Sequence, residues 1–165
     1  MLLRRETPAD VEAIHAVHLG AFETAVEADL VTALRADEGW LPTLSLVAEA
    51  AGEVVGHVVC TRAHIDSAPA LGLGPLGVLP SRQRTGVGAA LLHAVLGAAD
   101  ALDEPVVVLL GHREYYPRFG FAPASRLGIR PPVPAWGDHF QARPLTAYTP
   151  ALRGEFAYAA RFAAL

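Results

Sequence analysis

The segment from residue 73 to residue 111 constrains the fold most. It opens on the β-rich run LGPLGVLP (73–80), which Pro80 ends. A glycine-containing loop, QRTGVG (83–88), comes next. An alanine-rich stretch then places Val87, Leu91, Ala94, Val95 and Ala98 on one helical face. The segment closes on PVVVLLG (105–111), a continuous apolar run of the kind that marks a strand covered on both faces. Strand, loop, helix and buried strand make a β-α-β crossover, so its two strands run parallel. The chain is therefore of the α/β class.

The elements around this unit are read from periodicity and turn chemistry. Residues 2–6 form a short strand. Thr7-Pro8-Ala9-Asp10 starts a helix, with Thr7 as cap, Pro8 in the first turn and Asp10 at the positive end of the dipole. Val11, Ile14 and Val17 continue it. Val26, Leu30, Val31 and Leu34 mark a second helix that stops near Gly39. LSLVAEA (44–50) and EVVGHVVCTR (53–62) are strands joined at Ala51-Gly52, a hairpin signal. AHIDSAPA (63–70) reads as turn-like. REYYPRFGF (113–121) reads as a short helix broken near Pro117, with a turn at Gly120. The rest is proline-rich up to DHFQARPL (138–145), an expected edge strand. The tail EFAYAARFAAL (155–165) is compatible with helix or strand.

With 165 residues, no repeat and no linker, the chain is expected to form one domain over residues 1–165. Its 52% hydrophobic and 18% charged residues describe a globular protein. A net charge of −4 without a Lys/Arg-rich run argues against a nucleic-acid partner. Cys60 is the single cysteine, so there is no internal disulfide and no cysteine metal cage. The start, MLLRRETPAD, lacks the apolar region of a signal peptide. No apolar run reaches the roughly 18 residues of a membrane span. A cytoplasmic, membrane-free protein is the expectation. Oligomeric state is left open, a homodimer included.

Two glycine motifs lie a few residues apart. Gly72, Gly74 and Gly77 fit the dinucleotide spacing G-x-G-x-x-G. That fingerprint needs a strand-to-helix turn, whereas Pro75 interrupts it here and Val78-Leu79-Pro80 continue extended. It is better read as a strand with small residues where a ligand or backbone comes close. Gln83 to Gly88 have the proper context, because they follow a strand and open a helix. Gly86 and Gly88 let backbone N–H groups approach an anion, the helix supplies its positive end, and Arg84 adds a mobile charge. No Gly-Lys-Ser/Thr follows, so the loop is not a nucleoside-triphosphate loop.

The order Q-x-x-G-x-G after a strand ending in GVLP, an amphipathic helix, a buried strand and YYPRFGF resembles the GNAT superfamily of acyl-CoA N-acyltransferases. The resemblance spans roughly residues 2–145. LGPLGVLPSRQRTGVG together with GHREYYPRFGF most resembles its YhbS-like branch. The resemblance implies a mixed, mostly antiparallel sheet with the parallel crossover, flanked by helices. It also implies transfer of an acetyl or other acyl group from acetyl-CoA to a primary amine by direct attack in a ternary complex. Gln83, Arg84, Thr85, Gly86, Val87, Gly88 and Ala89 would then hold the pyrophosphate. Leu76, Gly77 and Val78 would lie on a bulged strand along the pantetheine and polarise the thioester carbonyl. Tyr116, four residues before Gly120-Phe121, would protonate the departing thiolate. Tyr115 is expected to be its apolar partner in the core. Where many relatives carry an asparagine, this chain has Gly111-His112.

The base for the attacking amine is not assigned by the sequence. Glu49 and His57 are expected on solvated faces, and His64 and Asp66 in the turn-like segment. His15 and His18 share spacing on one helix, but no third ligand accompanies them, so a solvated face and no metal site is expected. Ser67, Ser81 and Ser125 lack a nucleophile elbow. Cys60 is expected to be a small core residue. The rival functions are a non-catalytic acyl-CoA-binding or regulatory module on the same fold, and a nucleotide-dependent oxidoreductase using Gly72–Gly77. The acceptor is not identified by the sequence.

Overall fold

The computed structural model describes residues 1–164. The chain runs β1 (Leu2–Arg5), α1 (Val11–Ala21), α2 (Val26–Leu34), β2 (Ser45–Ala50), β3 (Glu53–Ile65), β4 (Ala68–Val78), α3 (Val87–Ala101) and β5 (Val106–Leu110). Four short strands follow: β6 (Ala122–Pro123), β7 (Ile129–Arg130), β8 (Phe140–Pro144) and β9 (Gly154–Ala157). The main sheet has the order β1-β2-β3-β4-β5-β8-β6. Its neighbours are antiparallel except β4 and β5, which the α3 crossover makes parallel. This is the mixed, mostly antiparallel sheet with flanking helices that the sequence led us to expect.

The apolar run after α3 is buried on both faces, as its composition requires. Val107 and Leu109 pack under α3 with Leu91, Leu92 and Val95. Val106 and Val108 point the other way, into a second cluster with Ile65, Phe140 and Phe156. Each such fully buried aliphatic side chain stabilises the fold by about 1.5–3 kcal/mol. Close approach of α3 to the sheet depends on Gly56. A Cβ there would lie 2.9 Å from both Leu91 and Val87.

The hairpin at Ala51-Gly52 is present, with positive φ at both positions, +52° and +80°. Two sequence expectations need correction. AHIDSAPA is not a turn-like segment, because β3 and β4 extend through it and only Asp66 and Ser67 turn. Ala63, Ile65 and Ala70 are buried beneath the C-terminal segment, so small alternating residues here serve a covered hairpin. DHFQARPL is not an edge, because β8 pairs with β5 on one side and β6 on the other. The tail begins as strand, with β9 pairing with β3 and β7, followed by a short 3-10 segment. Among the described residues no helix is long and apolar enough to cross a membrane.

Candidate active site

Two features of β4 build the site. First, β4 and β5 pair only at Leu71–Val107 and Gly72–Val108 and then diverge, which leaves a fork between Leu73–Val78 and Leu109–Leu110. Second, the β3–β4 register slips between Val58 and Cys60, so Gly74 and Pro75 bulge. Gly74 adopts φ +133°, a conformation that only glycine takes readily. The base of the fork is filled by Tyr158, just beyond β9. A Cβ on Gly72 would sit 2.7 Å from the Tyr158 ring. Burial pushes the Tyr158 hydroxyl pKa up, partly offset by a hydrogen bond with the Leu110 backbone.

Two cavities meet here, sharing Leu76 and Phe22. The smaller, of about 470 Å³, is lined by Val78, Gln83, Arg84, Gly86, Gly88 and Ala89 from the loop side and by Tyr115 and Arg118 opposite. Arg84 and Gly86 have positive φ, +61° and +92°, and Gly86 caps α3. Two side chains hold the loop. The Gln83 amide donates to the Val78 carbonyl at 3.0 Å, and the Thr85 hydroxyl donates to the Arg82 carbonyl at 2.5 Å. The Ala90 N–H donates to the Gly86 carbonyl at 3.0 Å, so the N–H groups of Val87, Gly88 and Ala89 precede the helical ladder. These groups, the positive end of α3 and two guanidinium groups make a cradle for an anion. The Val87 side chain points into the core. Arg118, which the sequence did not single out, lies 4.9 Å over the Tyr115 ring and donates to the Tyr115 carbonyl at 3.1 Å. Tyr115 packs on the core and also lines this cavity.

The larger cavity, of about 700 Å³, occupies the fork and is walled by the β4 bulge, the end of β5, Tyr116 and aromatic side chains of the C-terminal segment. Tyr116 stacks its ring against Gly111, where a Cβ would lie 2.4 Å from Cε2, and meets Phe121 edge-on at 5.8 Å. Burial, reinforced by Tyr115, pushes its hydroxyl pKa up to about 12, so it stays protonated at neutral pH. Of the residues expected along the cofactor, Leu76 faces both cavities and Val78 the smaller one. Gly77 is buried against α1, where a Cβ would be 2.6 Å from His18 Nδ1. Gly77→Ala is accordingly expected to destabilise the protein by about 1–3 kcal/mol through overpacking, read from denaturant unfolding.

His18 and His57 correct two expectations. Both are fully buried, not solvated, because α1 lies across β3. His18 Nε2 is 2.9 Å from His57 Nδ1, and His57 Nε2 is 2.8 Å from Ser45 Oγ. The Ser45 hydroxyl donates to Glu6, whose other carboxylate oxygen accepts from Arg35 Nε at 2.9 Å. With the carboxylate accepting at one end, every proton in the row points towards Glu6, and both imidazoles are neutral. His18 Nδ1 is then a bare acceptor, without a partner among the described residues. Burial is the main cause that lowers the His18 pKa, to about 3, with His57 and Arg35 adding to it. Burial likewise lowers His57, against the opposing pull of Glu6. For Glu6, burial acts to raise the pKa, but hydrogen bonds from His57, Ser45 and Arg35 outweigh it and leave a value of about 2.

The remaining sequence candidates lie elsewhere. Glu49 pairs with Arg4 at 2.9 Å on the β1–β2 side. His64 is exposed and Asp66 accepts from the Glu155 N–H at 2.9 Å. His15 pairs with Asp29 at 3.1 Å, away from His18. No cluster of three or more metal-ligating side chains occurs among the described residues. One acid does line the larger cavity. It is Glu27, on α2, and nothing in its local sequence distinguishes it from a solvated helical glutamate.

Comparison with known proteins agrees with this geometry. Residues 42–123 match the family described as an acetyltransferase (GNAT) domain. The chain is 38% identical over 154 residues to YjhQ, an uncharacterized N-acetyltransferase of Escherichia coli K12, covering 88% of this chain and 85% of that protein. It is 34% identical over 148 residues to YhbS of the same strain, covering 88% and 87%. The structure of Escherichia coli YhbS in complex with CoA superposes with a TM-score of 0.91 at 30% identity, over 98% of this chain and 91% of that one. A Brucella melitensis GNAT family acetyltransferase in complex with acetyl-CoA gives 0.80 at 34% identity, over 98% and 97%.

Proposed function

The chain belongs to the GNAT family of N-acetyltransferases, and from that premise we propose that it transfers an acetyl group from acetyl-CoA to a primary amine by direct attack. The observation that carries this reading is the junction at Leu76. An N–H-rich cradle with two arginines lies on one side, and the β4–β5 fork with Tyr116 lies on the other. The cradle suits the diphosphate of CoA, and the fork suits its extended thioester arm. The relatives solved with CoA and acetyl-CoA support the same assignment.

In this reading the diphosphate rests on the loop Gln83–Ala89, and the pantetheine lies along Leu76–Val78, which the fork leaves unpaired with β5. The acceptor ammonium first gives a proton to water. Its nitrogen then attacks the thioester carbonyl carbon, and a backbone N–H of the bulged β4 stabilises the oxyanion. The nitrogen of the tetrahedral intermediate releases its second proton to water, the intermediate collapses with cleavage of the C–S bond to leave the amide, and the thiolate takes the Tyr116 proton, which solvent restores. Free CoA and an N-acetylated amine leave. A covalent acyl-enzyme finds no support, because Cys60 is fully buried and burial pushes its thiol pKa up. A cytoplasmic place of action belongs to the same proposal.

Arg84→Ala and Arg118→Ala test the cradle. Each is expected to raise KM for acetyl-CoA about fivefold, as befits loss of about 1 kcal/mol at a solvent-open charge, with kcat little changed. Steady-state assays of CoA release at varied acetyl-CoA measure this. An unchanged KM in both variants would move the diphosphate elsewhere.

A further inference from the structure

The larger cavity differs in charge from the anion cradle beside it. The cradle carries Arg84 and Arg118, whereas Glu27 is the one charged side chain that the described residues place in the larger cavity. Glu27 Oε2 is buried and accepts no hydrogen bond from any described residue. A carboxylate oxygen withheld from water without a donor is costly unless something cationic meets it. Apart from His112, the rest of the wall is mostly apolar, and one side of it is aromatic. Trp136 meets Tyr158 edge-on at 6.3 Å, and Tyr158 stacks on Phe162 at 4.4 Å. Phe22 and Val133 add apolar surface.

Building on the acetyl-transfer reading, we propose that the acceptor is a primary amine on a flat apolar body, an arylalkylamine, with its ammonium group held by Glu27. One cation matches one carboxylate, and an aromatic body matches the Trp136–Tyr158–Phe162 wall edge-to-face or by stacking. A polyamine or an aminoglycoside brings several ammonium groups into a cavity with a single counter-charge, and the surplus cations lose their water without compensation. Free lysine brings a carboxylate that Glu27 repels. Glu27 sits on α2 and the aromatic wall on the C-terminal segment, so the acceptor is selected by parts of the chain outside the acetyl-CoA cradle.

The test is CoA release at saturating acetyl-CoA with 2-phenylethylamine, tryptamine, spermidine and free lysine. It is paired with calorimetric titration of 2-phenylethylamine into the CoA-loaded protein. The arylalkylamines should exceed spermidine and lysine in kcat/KM by about tenfold or more, the loss expected of a cation left unpaired. Glu27→Gln should raise KM for 2-phenylethylamine by a similar factor while KM for acetyl-CoA and Tm stay unchanged. Trp136→Ala should weaken tryptamine more than it weakens spermidine. Preferred turnover of spermidine or lysine overturns the inference and leaves acetyl transfer intact, as does a Glu27→Gln variant with unaltered amine KM. If no amine releases CoA, the transfer reading fails, and the calorimetric arm decides this one alone. Saturable binding lost in Glu27→Gln supports it, and no binding overturns it.

Discussion

Tyr116→Phe is expected to lower kcat about 100-fold and to leave the Kd for acetyl-CoA unchanged, since loss of one general acid typically costs a factor of this order. The substitution removes only the hydroxyl. The ring keeps its seat on Gly111 and its edge-on contact with Phe121, so the fold is expected to be retained. Because the hydroxyl pKa is raised to about 12, Tyr116 is fully protonated throughout the neutral range and has a proton to give. Single-turnover rates, with calorimetry of acetyl-CoA binding alongside, separate chemistry from affinity. An unchanged kcat would take Tyr116 out of the mechanism and leave thiolate departure to solvent.

The second large effect is on stability. Acidification below the ordinary histidine value of 6.5 is expected to destabilise the protein steeply. His18 and His57 are neutral in the folded protein and have lowered pKa values, so the unfolded chain binds protons that the folded one refuses. The stabilisation is complete above 6.5 and is lost as the pH falls below it, for His18 towards its folded value of about 3. His18 then accounts for roughly 2 kcal/mol of loss by pH 5, and His57 acts in the same direction. Glu6 adds in the same direction at lower pH, between its ordinary 4.5 and its folded value of about 2. Denaturant unfolding at pH 8, 6 and 5 measures the slope. His57→Gln should be less stable at pH 8 and show a shallower fall between pH 7 and 5. A fall as steep as that of the unaltered protein would rule out neutral buried His57 as its source.

The row Glu6–Ser45–His57–His18 shows where local sequence stops being informative. His57 lies in the strand run EVVGHVVC and was expected on a solvated face. That inference assumes nothing covers the strand, yet α1 does. His18, three residues from His15, invites one helical face for both, yet the helix turns one towards Asp29 and the other into the core. Gly77 illustrates the same limit. A small residue beside a ligand strand was expected, and its closest demand is room for the His18 ring on the buried side.

The crossover from residue 73 to residue 111, the glycine loop at the start of α3, the bulge-permitting Gly74 and the Tyr-x-x-x-Gly-Phe element were all legible in the sequence. Each is set by neighbours within a few residues: period, turn chemistry and the φ that glycine alone allows. Those local rules were enough to point to the fold and to the likeness on which an acyl-CoA site was expected. They did not point to Glu27 or to the aromatic wall on the acceptor side. Glu27, Trp136, Tyr158 and Phe162 come from α2 and from the last third of the chain, and only tertiary packing brings them around one cavity. The same holds for Arg118 opposite the loop and for the buried histidine pair. Their positions depend on how helices and the C-terminal segment cover the sheet, a matter of long-range burial that no local spacing encodes.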